Sequence, residues 1–320
     1  MFLRTTKARQ TFGKILITGV ILFVGVGCEA PIPEGYVGIQ VDGKDKAGLA
    51  HFYVGTMPGV EPRATDHEGL YLIDRNTLPP EMHAVVEDNR IEWSVLLDVV
   101  QEHYARWQSV PQTVTALLDG HAALSDSTYW FTKEVKGSLT DAWRAIHVPR
   151  KAIQQALLHA KDSTGAVVYP VGTVFLSEHR STVSGPVIEY MAMHKRQDGA
   201  WNYLVYKADG TYTPTSMANP KAYAAPTQCT GCHFGDRAFE PERSFPGLAP
   251  DGPFGTRAIN VMPQIRELSN PSVLSEHIKR ADHVLGLYGT LYIAEVKSRL
   301  ARGVAVSEID QQINADLNKP

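Results

Sequence analysis

Cys229-Thr230-Gly231-Cys232-His233 is the stretch whose residue types and spacing specify a chemistry most directly. Two thiols three positions apart can reach the two vinyl groups of one haem and form thioether bonds. The imidazole that follows then lies beneath the ring and ligates iron. Cys229 and Cys232 are therefore expected to attach one haem c, with His233 as the proximal iron ligand. Two other chemistries use C-x-x-C. A redox dithiol usually opens a helix after a strand, whereas Asn219-Pro220-Lys221-Ala222-Tyr223-Ala224-Ala225-Pro226 reads as loop. A zinc site wants a second Cys or His pair at matching spacing, and no second Cys pair exists. A zinc-binding interaction lipoprotein stays open as an alternative.

The N-terminus bears on the compartment. Arg4, Lys7, Arg9 and Lys14 precede the first acid, Glu29, and Ile15 to Val26 is a continuous run of apolar and small residues. That is the length of a signal h-region and short for a spanning helix. The run ends at Val26-Gly27-Cys28, which resembles a bacterial lipoprotein cleavage box with Cys28 as the lipidated residue. Gly25 departs from the aliphatic residue that the box prefers there. An uncleaved anchor helix would leave the chain on the same side of the membrane. Residues 1–28 are thus read as a signal peptide, and the chain as a periplasmic, membrane-anchored lipoprotein of the bacterial cell envelope. The three cysteines are then all assigned: one to lipid, two to haem, none to a disulfide.

Composition narrows the class. A net charge of −3 argues against a nucleic-acid partner, which would call for a basic stripe. With 43% hydrophobic residues the chain can bury a proper core. No second apolar run of membrane-spanning length and no clear internal repeat occurs.

The elements that must position the motif can be read from periodicity. Residues 29–80 read as a tether with a small β element, with strands over 36–41 and 50–54. Trp93, Leu96, Leu97, Val100, Tyr104 and Trp107 recur at helical spacing over 91–107. A second helix over 114–118 closes at Asp119-Gly120. The nearby His103 and His121 read as surface or capping residues. Asp141 to Ala160 reads as helix broken at Val148-Pro149. Three antiparallel strands follow, over 171–179, 187–194 and 201–207, with a hairpin turn at Gln197-Asp198-Gly199. Residues 272–317 read as helical, and Ser307 is placed to cap the last helix. The expected fold class is α+β: an antiparallel β-sheet haem domain with flanking helices over 81–250, and a helical C-terminal extension over 251–320.

Residues 141 to 240 resemble the cytochrome P-460 family, which includes the β-sheet type of cytochrome c-prime. The resemblance is carried in order by Trp143-Arg144-Ala145-Ile146-His147-Val148, Tyr169-Pro170-Val171-Gly172-Thr173-Val174, Met193-His194-Lys195-Arg196, Trp201 to Gly210, and Cys229 to His233. It covers about a third of the chain. It implies an antiparallel sheet carrying one haem, with His233 as the only protein axial ligand and an open or sparsely lined distal face. Such a site binds small ligands such as nitric oxide, or oxidises hydroxylamine in the true P-460 members. Those members carry a Lys cross-linked to the haem edge, expected in a Lys-Glu pair after "P-x-G-T". This chain has Ser177-Glu178 there and no lysine between Lys161 and Lys195. Neither the cross-link nor the hydroxylamine chemistry is therefore an expectation of the resemblance here. Family members also dimerise, so a homodimer is an analogy-based expectation.

The sixth iron position decides between functions. A Met or His ligand would make an electron carrier. Met191, Met193, Met217 and Met262 are in sequence range, and Met191 and Met193 share one face of a strand. Each also reads as core filler. Glu178, His179 and Arg180 are candidates for the distal pocket, where they would orient a ligand or shuttle protons; otherwise they form an exposed strand end. The sequence thus leads to a mono-haem cytochrome that exchanges electrons with a redox partner protein or binds a small gaseous or nitrogenous ligand. A haem oxidoreductase acting on a small nitrogen compound such as hydroxylamine is the second reading.

Overall fold

The computed structural model describes residues 30–41, 53–67, 69–136, 142–162, 168–197, 199–217, 224–227, 229, 288–289 and 291–319. It bears out the α+β class. Two sheets carry the architecture. The smaller contains β1 (Tyr36–Gln40), β2 (Arg63–Ala64), β3 (Leu70–Asp74) and β4 (Arg90–Ile91), in the order β2-β3-β1-β4. β1 runs antiparallel to β3 and parallel to β4. Its strand over 36–41 was legible in the sequence. The strand expected over 50–54 is not supported, because Tyr53 and Val54 lie in a helical turn, their side chains buried.

A one-turn α1 (Pro80–His83) and then α2 (Trp93–Trp107) follow. α2 buries Leu96, Val99, Val100, Tyr104 and Trp107, a stripe at three- and four-residue steps. Its Tyr104 docks onto the larger sheet: the hydroxyl donates to Asn202 Oδ1 at 2.8 Å and accepts from the Tyr203 amide at 3.0 Å. The short α3 (Val114–Leu117) is capped by Thr113, whose side chain accepts from the Ala116 amide, and ends before Gly120 at φ +79°.

The larger sheet is an antiparallel meander of β5 (Trp130–Lys136), β6 (Trp143–Pro149), β7 (Val174–Arg180), β8 (Val187–Lys195) and β9 (Trp201–Lys207), in spatial order of sequence. β7 to β9 match the sequence reading to within three residues. β5 was not anticipated. Residues 143–149, read as helix, form the second strand instead, and the helix begins after Pro149 as α4 (Arg150–Asp162). Proline at the junction explains the switch, since its fixed φ suits both a strand end and a helix entry.

One face of this sheet packs Val174, Leu176, Ala192, Leu204 and Tyr206 against Tyr104, Val110 and Leu117. The opposite face contributes Phe175, Met193 and Tyr203 to a core that also takes in β1, α2 and α4. The last helices are α5, over 291–301, and α6 (Glu308–Asn318). Ser307 caps α6 in a capping box with Asp310, as its position suggested. Asp310 also receives Arg150 Nη1 at 2.7 Å and the Tyr292 hydroxyl, which ties α4, α5 and α6 together. Among the described residues no helix is long and apolar enough to cross a membrane.

Candidate functional site

The sheet face away from α3 is organised in rows, because antiparallel partners on one face lie opposite each other. Arg144 of β6 faces His179 of β7, which faces Glu189 of β8. One row along, Ile146 faces Ser177, Ser177 faces Met191, and Met191 faces Val205 of β9. In the next, Phe175 faces Met193 and Met193 faces Tyr203. These rows line a cavity of about 130 Å³ that is partly open to solvent. The floor is apolar and aromatic. Phe175 meets Tyr169, Trp201 and Tyr288 with ring centroids 5.0, 5.7 and 5.5 Å away. Gly289, next to Tyr288, permits close approach to α4: a Cβ there would meet Leu157 Cδ2 at 3.0 Å.

Cys229 lines the same cavity. It stands on the β9 side. Two residues before it, the Thr227 hydroxyl donates to Gln101 Oε1 of α2 at 2.8 Å, and the Thr227 carbonyl accepts from the Tyr53 hydroxyl at 2.8 Å. Burial, with a smaller contribution from nearby Cys229, drives the Tyr212 phenol up to about 12. Tyr212 in turn bridges to Tyr206 of β9. Cys232 and His233 lie outside the described residues, as do Cys28 and Met262.

The polar end of the cavity is at β6–β8. His179 Nδ1 lies 3.0 Å from Glu189 Oε1, and both side chains are almost fully buried. Both oxygens of Glu189 also accept from the Ser216 hydroxyl, and Oε2 accepts from the Met217 amide. Burial lowers the His179 pKa, more than Glu189 raises it, so the ring is neutral near pH 7. Burial works against the Glu189 carboxylate, but His179, the Met217 amide and Ser216 outweigh it and hold its pKa below the usual value. With Nδ1 turned to Glu189, Nε2 is the ring nitrogen left for the cavity.

Of the three distal candidates read from sequence, His179 alone lines this cavity. Glu178 and Arg180 fall on the other face, as the two-residue period of a strand requires. There Glu178 ion-pairs with Arg180 and lies 3.6 Å from His147 Nε2. Arg180 borders a separate shallow cleft with Trp143 and Val183. Met191 and Met193 line the cavity together, whereas Met217 is largely exposed. His103 and His121 stay outside it. His121 lies 2.7 Å from the Tyr129 hydroxyl through Nδ1 and stacks on Trp130.

Sequence reasoning missed Arg144, Ser177 as a cavity residue, and Glu189. Arg144 was hidden by the helical reading of 141–160. Once 143–149 is a strand, its pairing with β7 puts Arg144 beside His179. No family model, curated protein or solved structure matches the chain.

The lining is largely apolar and includes Cys229, so its residues are chemically compatible with an apolar group attached there. Arg144 Nε, Ser177 Oγ and His179 Nδ1 in the lining are buried without a well-aligned hydrogen bond among the described residues, although Glu189 Oε1 lies 3.0 Å from the last. Such orphans imply a polar partner that the protein itself does not supply.

Proposed function

We propose that this chain is an exported, lipid-anchored mono-haem c-type cytochrome. Haem c would be attached at Cys229 and Cys232, ligated by His233, and seated against the cavity face of the meander. The observation that supports this most is the position of Cys229: the first residue of C-T-G-C-H lines a largely apolar, partly open cavity. The resemblance to the cytochrome P-460 family supports the same reading. When bound, haem supplies one-electron chemistry and an iron coordination position. The chain's own residues supply the surroundings. Ile146, Phe175, Met193 and Tyr288 line the cavity with apolar and aromatic surface. Met191 and Met193 are the thioethers closest at hand, both on the cavity face. Glu189 orients the His179 ring, and the neutral Nε2 can accept a proton or a hydrogen bond from a small ligand. The function is electron exchange with a redox protein or binding of a small, nitric-oxide-like ligand on the periplasmic side, with lipid on Cys28 holding the chain at the membrane.

A second reading, a haem oxidoreductase acting on a small nitrogen compound, is favoured by one observation: the His179–Glu189 pair at the cavity wall is a ready proton acceptor. Ser177, where the cross-linking Lys of P-460 enzymes is expected, argues against hydroxylamine as that compound.

The test is a visible spectrum of protein matured in cells with haem-attachment machinery, ferric and ferrous, with and without nitric oxide. A covalent haem band is the expected result. Ready binding of nitric oxide then selects ligand binding or catalysis, and a low-spin haem that resists it selects electron transfer. Complete absence of haem, with zinc found instead, overturns the proposal.

A further inference from the structure

The two ends of the cavity differ in chemistry and are well separated. Cys229 stands on the β9 side, next to Tyr212 and the Gln101–Thr227 contact. Arg144 stands on β6, three strands away. With adjacent strands about 4.8 Å apart, that is on the order of 14 Å across the sheet. Between them the lining is mostly apolar: Met191, Met193, Phe175 and Ile146.

At the far end, Arg144 and Ser177 are diagonal neighbours on adjacent strands, because Arg144 pairs with His179 and Ile146 with Ser177. Such neighbours lie about 7–8 Å apart, within reach of a long side chain. Both line the cavity, and both carry a buried polar atom with no hydrogen-bond partner among the described residues. The acid of this row, Glu189, is engaged by His179, Ser216 and the Met217 amide. Among the described residues, this cluster lacks an acceptor for Arg144 Nε and the Ser177 hydroxyl. A guanidinium beside a hydroxyl suits a carboxylate, which Arg can grip with two parallel hydrogen bonds.

A haem carries its two vinyl groups on one side and its two propionates on the other. A haem tethered through Cys229 at the β9 side would therefore direct a propionate toward β6. We propose that Arg144 and Ser177 form a carboxylate-binding subsite at the β6–β7 end of the cavity, which holds a propionate of the haem attached at Cys229. The inference rests on the haem reading above. It adds that the opposite edge of the ring is fixed by charge, so the ring is held at both ends. Arg144 is a positioning residue here. The charged and titratable groups around it are His179 of β7 and Tyr288, Glu189 two strands over in the same row, and Glu134 of β5 and Arg180 of β7, which share the shallow cleft with it.

The test compares matured full-length wild type with R144Q, R144K and S177A. Haem staining after denaturing electrophoresis first reports whether haem is attached. Redox titration across weakly acidic to neutral pH then reports the subsite. R144Q should retain covalent haem, because the thioethers do not depend on Arg144. Its reduction potential should fall, since a cation that offsets the propionate is lost. It should also acquire a stronger pH dependence in the weakly acidic range, where the freed propionate takes up a proton. R144K should recover part of the potential, and S177A should show a smaller change of the same sign. A potential and pH dependence unchanged in R144Q would overturn the proposal.

A free carboxylate is the other source of the same chemistry, and acetate is the probe. Acetate should leave the wild-type spectrum and potential unchanged. An acetate-dependent shift in wild type that is lost in R144Q would mean that the subsite takes a free anion, and would overturn the propionate assignment. If wild type carries no haem, the reading under Proposed function fails on its own. The subsite is then judged by thermal unfolding of the haem-free protein with acetate. Stabilisation of wild type but not of R144Q supports a carboxylate site, and equal behaviour of the two rules it out.

Discussion

Cys229 and His179 show what single residues can and cannot disclose. Cys229 is legible because the C-x-x-C-H spacing has few chemical meanings. If the motif attaches haem, C229S/C232S protein should accumulate like wild type yet show no haem-stained band after denaturing electrophoresis. A band that survives in the double variant would place the attachment elsewhere. His179 was read together with Glu178 and Arg180 as one polar strand end, and the structure separates them. A strand turns alternate side chains to opposite faces, so three consecutive residues cannot all face one cavity. Glu189 stayed invisible because a Glu inside an apolar strand has no local mark. Its meaning comes from the in-register pairing with His179 and from Ser216, both distant in sequence.

At the scale of elements, legibility followed exposure. α2 shows a clean helical stripe, and β7 to β9 are bounded by turns with glycines at positive φ, at Gly172, Gly199 and Gly210. β6 is buried along most of its length, because it lies inside the sheet and both faces are covered. A strand buried on both faces loses its alternation, and apolar residues at mixed spacings then mimic a helix. The adjoining α4 completed the illusion. The end of the chain carries a sharper energetic expectation. S307A removes the cap of α6 and should cost about 1 kcal/mol. D310A removes the capping-box partner and also leaves Arg150 without its acid, in a site where both side chains are nearly buried. It should cost about 3–5 kcal/mol. Urea denaturation of the two variants decides the matter, and equal losses would mean that the Arg150–Asp310 pair contributes nothing to holding α4, α5 and α6 together.

For the whole molecule, the buried histidines set the response to acid. Burial lowers the pKa of His121, His179 and His194, and His121 lowers that of His194 further. A histidine whose folded pKa lies below its unfolded value of 6.5 binds more protons unfolded than folded in the window between them. Stability should therefore rise with pH through that window and be lost on acidification from about pH 6.5 downward. Glu189, also lowered, extends the loss to lower pH as its carboxylate is protonated. Urea midpoints measured between about pH 5 and 8 should slope upward with pH, and H194Q should flatten part of that slope. A flat profile in wild type would mean that these rings pay no charging penalty in the folded state.

The meander also has a consequence in time. β5 to β9 follow one another in space as they do in sequence, so each strand pairs with the one made just before it, across short connections except between β6 and β7, where α4 intervenes. Every strand that walls the cavity precedes Cys229 in the chain, and Tyr288, which closes over Phe175, comes after it. As the chain is made from its N-terminus, the bed is therefore laid before the thiol arrives, and Tyr288 comes last.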